Sequence, residues 1–589
     1  MYYGTASTIA FLIALFLAVP LGLFLCRYSV KSVAISIIGL SWITVYLSES
    51  AIGVVNVLEL TGRKSALFLL EYALPAVFFV TATVAVVRYG LQIWSRQANR
   101  AQRPLALELR GDAGSAPGPT VNFTRKWRAL PRWFTRKESM AVCIIAAAVL
   151  AVHLLNIANP PSYDTATSPQ TPNLLGDEGY YVPAAVRLLN VQGLALPEHP
   201  PLGKSFIAAG ILIFGDNAIG WRAFPVLFAV AAIFIFYFMC RRLVGVEPAT
   251  NAGDPGPPQR SGQEWLLPGV FVPLLATFLF AFENMSFVMG HVAMLDVFYV
   301  TFMLLGFLFY LRGNYLTCGV VMGLSVLGKT SALLGLLAIV LHWAITRRHE
   351  LALDARYTWD VLKNRQATAP QRSEIVSMSK LLVAVPVVWS VLLPVLEYPA
   401  NHQWANPIER AVYMLTTHLR LTDTYLASGA ATPSVVDSVT KPWMWLLSPT
   451  TMVFSYGAQA ARYVSSIGWT VWGLVIPAIA YLIFVAIRRR GAGRVVAAFT
   501  LCWFVGVYGL LTIIELLTGR LMYNFYFYPA IPAVCLAIAW GAWRLWKAAQ
   551  KGRMSRLVYR GVLAMYLLAT VAAFVIMSPL GTSLARLVG

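Results

Sequence analysis

The sequence predicts an all-α protein that crosses a lipid bilayer many times, and three observations carry that prediction. Hydrophobic residues make up 58% of the 589, only 12% are charged, and mean hydropathy is +0.66, whereas a soluble domain is nearer a quarter charged. Stretches long and apolar enough to cross recur near 6–25, 32–49, 67–92, 140–157, 218–240, 266–283, 292–311, 314–327, 330–346, 380–396, 466–486, 495–517, 521–543 and 557–577. Two of them are short and need burial among neighbours. Hydrocarbon offers the backbone no hydrogen-bond partner, so each span must be a helix that satisfies itself. Finally, the basic clusters all fall on connections of one parity, as they do when cationic loops stay on the cytoplasmic side.

Three helices within residues 1–93 form the first segment of the chain. The linker 94–139 follows, with Arg96, Arg100, Arg103, Arg110, Arg125, Lys126, Arg128, Arg132, Arg136 and Lys137 against Glu108, Asp112 and Glu138. That bias makes it cytoplasmic, and GDAGSAPGPT at 111–120 makes it irregular and basic, suited to lying against anionic headgroups. The third part, 140–580, holds eleven predicted spans and two long outer loops, 158–217 and 397–465. With membrane loops accounting for the net charge of +21, nucleic acid is not an expected partner.

GLSVLGKTS at 323–331 satisfies the phosphate-loop pattern G-x-x-x-x-G-K-[ST], but that loop needs a preceding strand and a helix N-terminus facing the phosphates. Here it lies in the outer turn between two spans, so ATP is not expected. Its glycines suit close helix packing instead, with Lys329 either snorkelling or facing an anion. The six cysteines lie in or beside spans without a C-x-x-C pair. No disulfide framework, zinc site or other metal site is expected.

No loop is long enough for a Rossmann-type domain. Chemistry must therefore come from outer loops and helix ends. Residues 173–222 concentrate it: Asp177, Glu178, Tyr180, Tyr181, Arg187, Glu198, His199, Lys204 and Arg222. Asp177 precedes a helical pattern and is a natural N-cap. His199-Pro200-Pro201 holds an extended chain that presents His199 and Lys204, and 202–214 reads as an interfacial helix. Asp296 lies just inside a span, where a carboxylate needs a cation or water. Arg520 marks an outer boundary and is followed by Tyr523, Tyr526 and Tyr528; Lys441-Pro442-Trp443-Met444-Trp445 closes the second loop.

DEGYYVPAA, HPPLGK, FGDNAIGWR, MLD, GLSVLGKTS and KPWMW, in that order over about 140–580, resemble the protein O-mannosyltransferases of the GT-C glycosyltransferase superfamily. The resemblance implies a GT-C bundle of about eleven helices, here preceded by about three more, with short helices in the outer-face loops. It implies a polyprenyl-phosphate sugar as donor, mannose above all, and a Ser or Thr hydroxyl of a secreted or membrane protein as acceptor. Asp177 would be the base of an inverting displacement, with Glu178 beside it. His199, Lys204, Arg222, Asp296, Lys329 and Arg520 are candidates for donor phosphate and sugar. Tyr180, Tyr181, Trp443 and Trp445 are candidates for the acceptor or for stacking on sugar. No cofactor is expected. The arginine-rich cation content suggests a prokaryotic plasma membrane, with the site on its outer face. A lipid or polysaccharide acceptor, as in aminoarabinose transferases, and a non-catalytic lipid-sugar flippase are the alternatives.

Overall fold

The structure, a computed structural model, describes residues 136–160, 163–164, 168–245, 267–362, 373–401, 405–422, 439–448, 450–454, 463–488 and 491–579. The chain divides at Lys126–Trp127, inside the basic linker, and all described residues belong to the carboxy-terminal unit. The predictions for 1–93 and most of the linker lie outside the described residues.

Helix α1 (Arg136–Asn156) leads to a small ribbon of β1 (Tyr163–Asp164) and β2 (Ser168–Pro172), paired antiparallel. Two shorter helices follow, α2 (Glu178–Leu189) and α3 (Pro201–Phe214), then the long α4 (Ala218–Val244). Next come α5 (Pro268–Ala281), α6 (Asn284–His291), α7 (Asp296–Leu311), α8 (Tyr315–Gly328), α9 (Ala332–Thr346), α10 (Arg348–Leu362), α11 (Glu374–Asn401) and α12 (Pro407–Arg420). A single turn α13 (Met444–Leu447) and the ribbon β3 (Met452–Val453) with β4 (Val464–Ser465) close the second outer loop. The chain finishes with α14 (Trp469–Arg488), α15 (Ala492–Phe504), α16 (Leu510–Thr518), α17 (Ile531–Gln550) and α18 (Arg556–Met577).

Each predicted span from 140 onward overlaps a helix; α8 has the expected length, and α7 is shorter than expected. Among the described residues seven helices are long and apolar enough to cross. The span predicted at 266–283 is α5, and α6 follows it after a 62° bend. Predicted spans 292–311, 314–327 and 330–346 are α7, α8 and α9, of 16, 14 and 15 residues. Helix 524–550, which contains α17, is the centre of the bundle, with 83% of its apolar window buried against 17% for α18 at the edge.

Small residues set the close approaches. A Cβ on Gly319 would lie 2.4 Å from the Leu381 carbonyl oxygen, and one on Gly323 would lie 2.7 Å from the Val388 Cβ, so α8 and α11 pack backbone to backbone. Gly323 is thus inside a helix and Lys329 follows its end in extended conformation; no phosphate loop forms. Between α3 and α4 the turn is made by Gly215 at φ 87° and closed by Asn217, whose side chain accepts from the N–H groups of Ile219 (2.9 Å) and Gly220 (3.2 Å). Beneath it Phe206, Phe228 and Phe298 pack with centroids 4.8–5.2 Å apart, tying α3 to α4 and α7.

Candidate active site

Asp177 and Glu178 begin α2, but their side chains go to different places. Glu178 is fully buried, and its carboxylate accepts from the Leu175 N–H (2.8 Å), the Ala293 N–H (3.0 Å), and Nε and Nη2 of Arg222 (2.8 and 2.9 Å). Arg222 is equally buried, and its remaining nitrogen, Nη1, donates to the carbonyls of Ile157 (3.0 Å) and Asn159 (3.1 Å). Every guanidinium nitrogen is engaged. This bidentate pair joins α2, α4 and the ends of α1 and α6.

Asp177 has the backbone position of a cap but makes no capping hydrogen bond. Its carboxylate, partly open by surface area, is still lifted to about 6, chiefly because its surroundings take it out of water; nearby Lys329 pulls it down and Asp296 pushes it up. Those two are themselves a buried pair, Lys329 Nζ donating to Asp296 Oδ1 (3.0 Å) and Oδ2 (2.8 Å). Asp296 starts α7, and Lys329 comes from the break between α8 and α9, over the rings of Phe525 (5.4 Å) and Tyr526 (5.3 Å). The intramembrane carboxylate thus finds the cation that its burial requires.

Lys204 points the other way. Its ammonium is buried and donates to the carbonyls of Ala195 (3.0 Å), Leu196 (2.9 Å) and His199 (3.0 Å). All three N–H groups are used to hold this loop, in which Leu196 has φ 52°, and desolvation lowers the amine to about 8. The loop then enters α3 through Pro200 in polyproline conformation, with Pro201 as the first helical residue.

That fixed loop sets His199. Its Nε2 lies 3.4 Å from the Tyr181 hydroxyl, and its Nδ1 is buried without a partner among the described residues. Its ring is 5.0 Å from that of His418, at the end of α12. Arg520 reaches the same place, Nη2 3.4 Å from His418 Nδ1, and its Nε is buried without a partner. A bridge between Thr422 and Arg520, and another between Val439 and Tyr523, pin the second outer loop to this segment. Tyr523 stacks on Phe525 (5.6 Å), edge-on to Tyr526 (5.7 Å). One carboxylate without hydrogen bonds, one neutralised ion pair, and a cationic face with unused donors are therefore gathered from five separate segments. Such a face suits a phosphate, and such a carboxylate suits proton abstraction.

No protein-family model matches the chain. It is 24% identical over 552 residues to the polyprenol-phosphate-mannose–protein mannosyltransferase of Corynebacterium glutamicum, covering 80% of this chain and 93% of that protein. It is also 29% identical over 179 residues to the protein of the same name from Mycolicibacterium smegmatis, 29% of each chain. Among solved structures, the S. cerevisiae protein O-mannosyltransferase Pmt1–Pmt2 complex bound to the sugar donor superposes with a TM-score of 0.52 at 11% identity, over 75% of this chain and 89% of that one. This chain is a helical membrane protein similar in sequence to bacterial polyprenol-phosphate-mannose–protein mannosyltransferases and similar in fold to the yeast protein O-mannosyltransferase complex.

Within that fold, the predicted residues separate into two groups. Asp177, Tyr181, His199, Asp296, Lys329 and Arg520 come together, and Tyr180, 58% exposed, stands at the edge. Glu178, Arg222 and Lys204, expected in the catalytic and phosphate-binding set, are instead buried against protein partners. Trp443 and Trp445, expected to stack on sugar or acceptor, are both buried, and Trp445 Nε1 donates to Thr440 Oγ1 (2.8 Å) while its ring lies near Tyr508 and Phe527. His291 stands apart from Asp177, against Tyr463 (3.1 Å) and His153 (3.2 Å). His418, Tyr523 and Tyr526 were not among the expected site residues. His418 had one legible signal: Arg410, Met414 and His418 recur every four residues, the spacing of one helix face.

Proposed function

We propose that this membrane glycosyltransferase transfers mannose from a polyprenyl phosphate to a Ser or Thr hydroxyl of a protein at the outer face of a prokaryotic plasma membrane, inverting the anomeric centre. The observation that carries the reading is Asp177: a carboxylate at the head of a helix, without a capping bond, raised toward neutrality, beside donors that lack acceptors. Asp177 takes the acceptor proton as the hydroxyl oxygen bonds to the anomeric carbon, and the phosphate leaves from the opposite side. Arg520 and His199 bind the phosphate and strengthen their hold as its charge develops. Lys329, neutralised by Asp296, shapes the floor without adding a second mobile base, and Tyr523, Phe525 and Tyr526 offer aromatic surface to the sugar.

The mechanism routes no step through a metal ion or other cofactor; among the described residues no three His, Cys, Asp or Glu side chains are grouped for one. Residues 140–580 constitute the catalytic domain in this reading, with 1–93 a separate membrane segment. The deciding assay is transfer of radiolabelled mannose from a short-chain polyprenyl phosphate to acceptor protein, wild type against Asp177→Asn. Activity lost while donor binding survives supports the proposal. Equal activity removes Asp177 as the base. Donor bound with transfer to lipid or polysaccharide alone would overturn the protein acceptor.

A further inference from the structure

His418 takes no part in the reaction as described, yet it lies against two groups that do. It is carried by α12, whose inner stripe packs inward: Met414 is fully buried, and Arg410 pairs with Glu397 (2.9 Å) and donates to the Pro197 carbonyl (2.8 Å). The outer stripe, Ile408, Val412 and Leu415, is 56–75% exposed. The helix therefore holds His418 at one place, its ring 5.0 Å from His199 and its Nδ1 3.4 Å from Arg520. The charged groups facing the two imidazoles are Arg520 and Lys329 toward both and Lys204 toward His199; Tyr181 lies against His199, and the Glu198 carbonyl faces His418. No carboxylate hydrogen-bonds either ring among the described residues.

Two imidazoles surrounded by cations stay neutral until an anion arrives; burial and Arg520 hold His418 at about 4, and His199 lies well below its ordinary value. The reaction creates such an anion. As the acceptor oxygen bonds to the anomeric carbon, the bond from that carbon to the phosphate oxygen breaks and its electron pair stays on that oxygen. The acceptor proton passes to Asp177 and then to solvent. A phosphodiester with one negative charge has become a phosphomonoester that at neutral pH carries nearly two, its second pKa being about 6.

We propose that His418, together with His199, reads this difference: the pair takes up a proton from solvent when the phosphomonoester product occupies the Arg520 face, and stays neutral over the phosphodiester donor. The inference rests on the donor reading above. It makes the site hold the spent polyprenyl phosphate more tightly as pH falls, so that release is favoured by alkaline conditions.

The test is titration calorimetry on the full chain in detergent at pH 7, in two buffers of different ionisation enthalpy. The ligands are a short polyprenyl phosphate, its methyl diester and inorganic phosphate, each with wild type, His418→Gln and His199→Gln. The expected result is uptake of about one proton with the monoester and none with the diester, and a preference for the monoester of about tenfold. His418→Gln should abolish the uptake and most of the preference while diester affinity changes less than about threefold. Retained diester binding shows that the variant is folded. Uptake unchanged in both variants overturns the inference and leaves the donor reading intact. Failure of wild type to bind either lipid overturns both. Equal uptake and affinity with inorganic phosphate would assign the site to free phosphate instead of the lipid headgroup.

Discussion

Glu178 accepts four hydrogen bonds in a fully buried setting, whereas Asp177, one residue earlier, makes no capping bond and is lifted toward neutrality. The same contrast separates two arginines: Arg222 uses all three nitrogens, and Arg520 leaves its Nε without an acceptor. A satisfied region holds shape, because any change leaves a buried charge unpaired. An unsatisfied region stores binding capacity, because a ligand supplies what the protein withheld. The outer loop places one region directly against the other, so the closed half fixes the backbone from which the open half projects.

Exchanging the properties of the two carboxylates is the strongest way to break this comparison. Asp177→Asn is expected to lower transfer by about a thousandfold with the protein intact. Glu178→Gln is expected to cost about 4 kcal/mol of stability, read as a lowered melting temperature in detergent. Similar activity losses at unchanged stability in both would show that Glu178 is not merely a brace.

Lys204→Met should come next, at about 3 kcal/mol, since it strands three buried carbonyls. Proteolysis between 195 and 199 is the sensitive readout, and an undisturbed loop would refute the anchoring role.

Gly323→Val probes packing far from the chemistry. Overlap with Val388 should cost about 2 kcal/mol, with transfer per folded molecule unchanged.

The smallest effect concerns pH. A base lifted to about 6 must be ionised to act, so kcat/KM should rise with pH through about 6 and then level. The stability sign is opposite: folding opposes ionisation of Asp177, so Asp177→Asn should be the more stable protein above about 6. That advantage should vanish below about 4, where the carboxyl is protonated in both folded and unfolded chains. A flat rate profile across pH 5–7 would separate Asp177 from the proton transfer.

Hydropathy made the helices of 140–580 legible, the shortness of α8 included, because each span must satisfy its own backbone in hydrocarbon; it could not show that α5 and α6 bend apart. The outer loop was legible by its density of chemical groups. Pairing was not. Glu178 finds Arg222 at a separation of 44 residues and Lys329 finds Asp296 at 33, and residue type alone does not tell a spent cation from an available one. Trp443 and Trp445 read as surface aromatics because their segment borders a loop, but the fold tucks that turn against Tyr508 and Phe527. His418 was missed because an isolated histidine on an amphipathic helix ordinarily signals nothing.

The brevity of α8 has a geometric consequence. Fourteen residues rise about 21 Å, while the hydrocarbon layer is about 30 Å thick. At least one end of α8 therefore lies within the depth of the hydrocarbon layer. The polar groups at such an end must be satisfied by protein partners, and Lys329 at the end of α8 has its own in Asp296. A short helix thus places a charge at depth and the fold supplies the counter-charge there, 33 residues away in sequence.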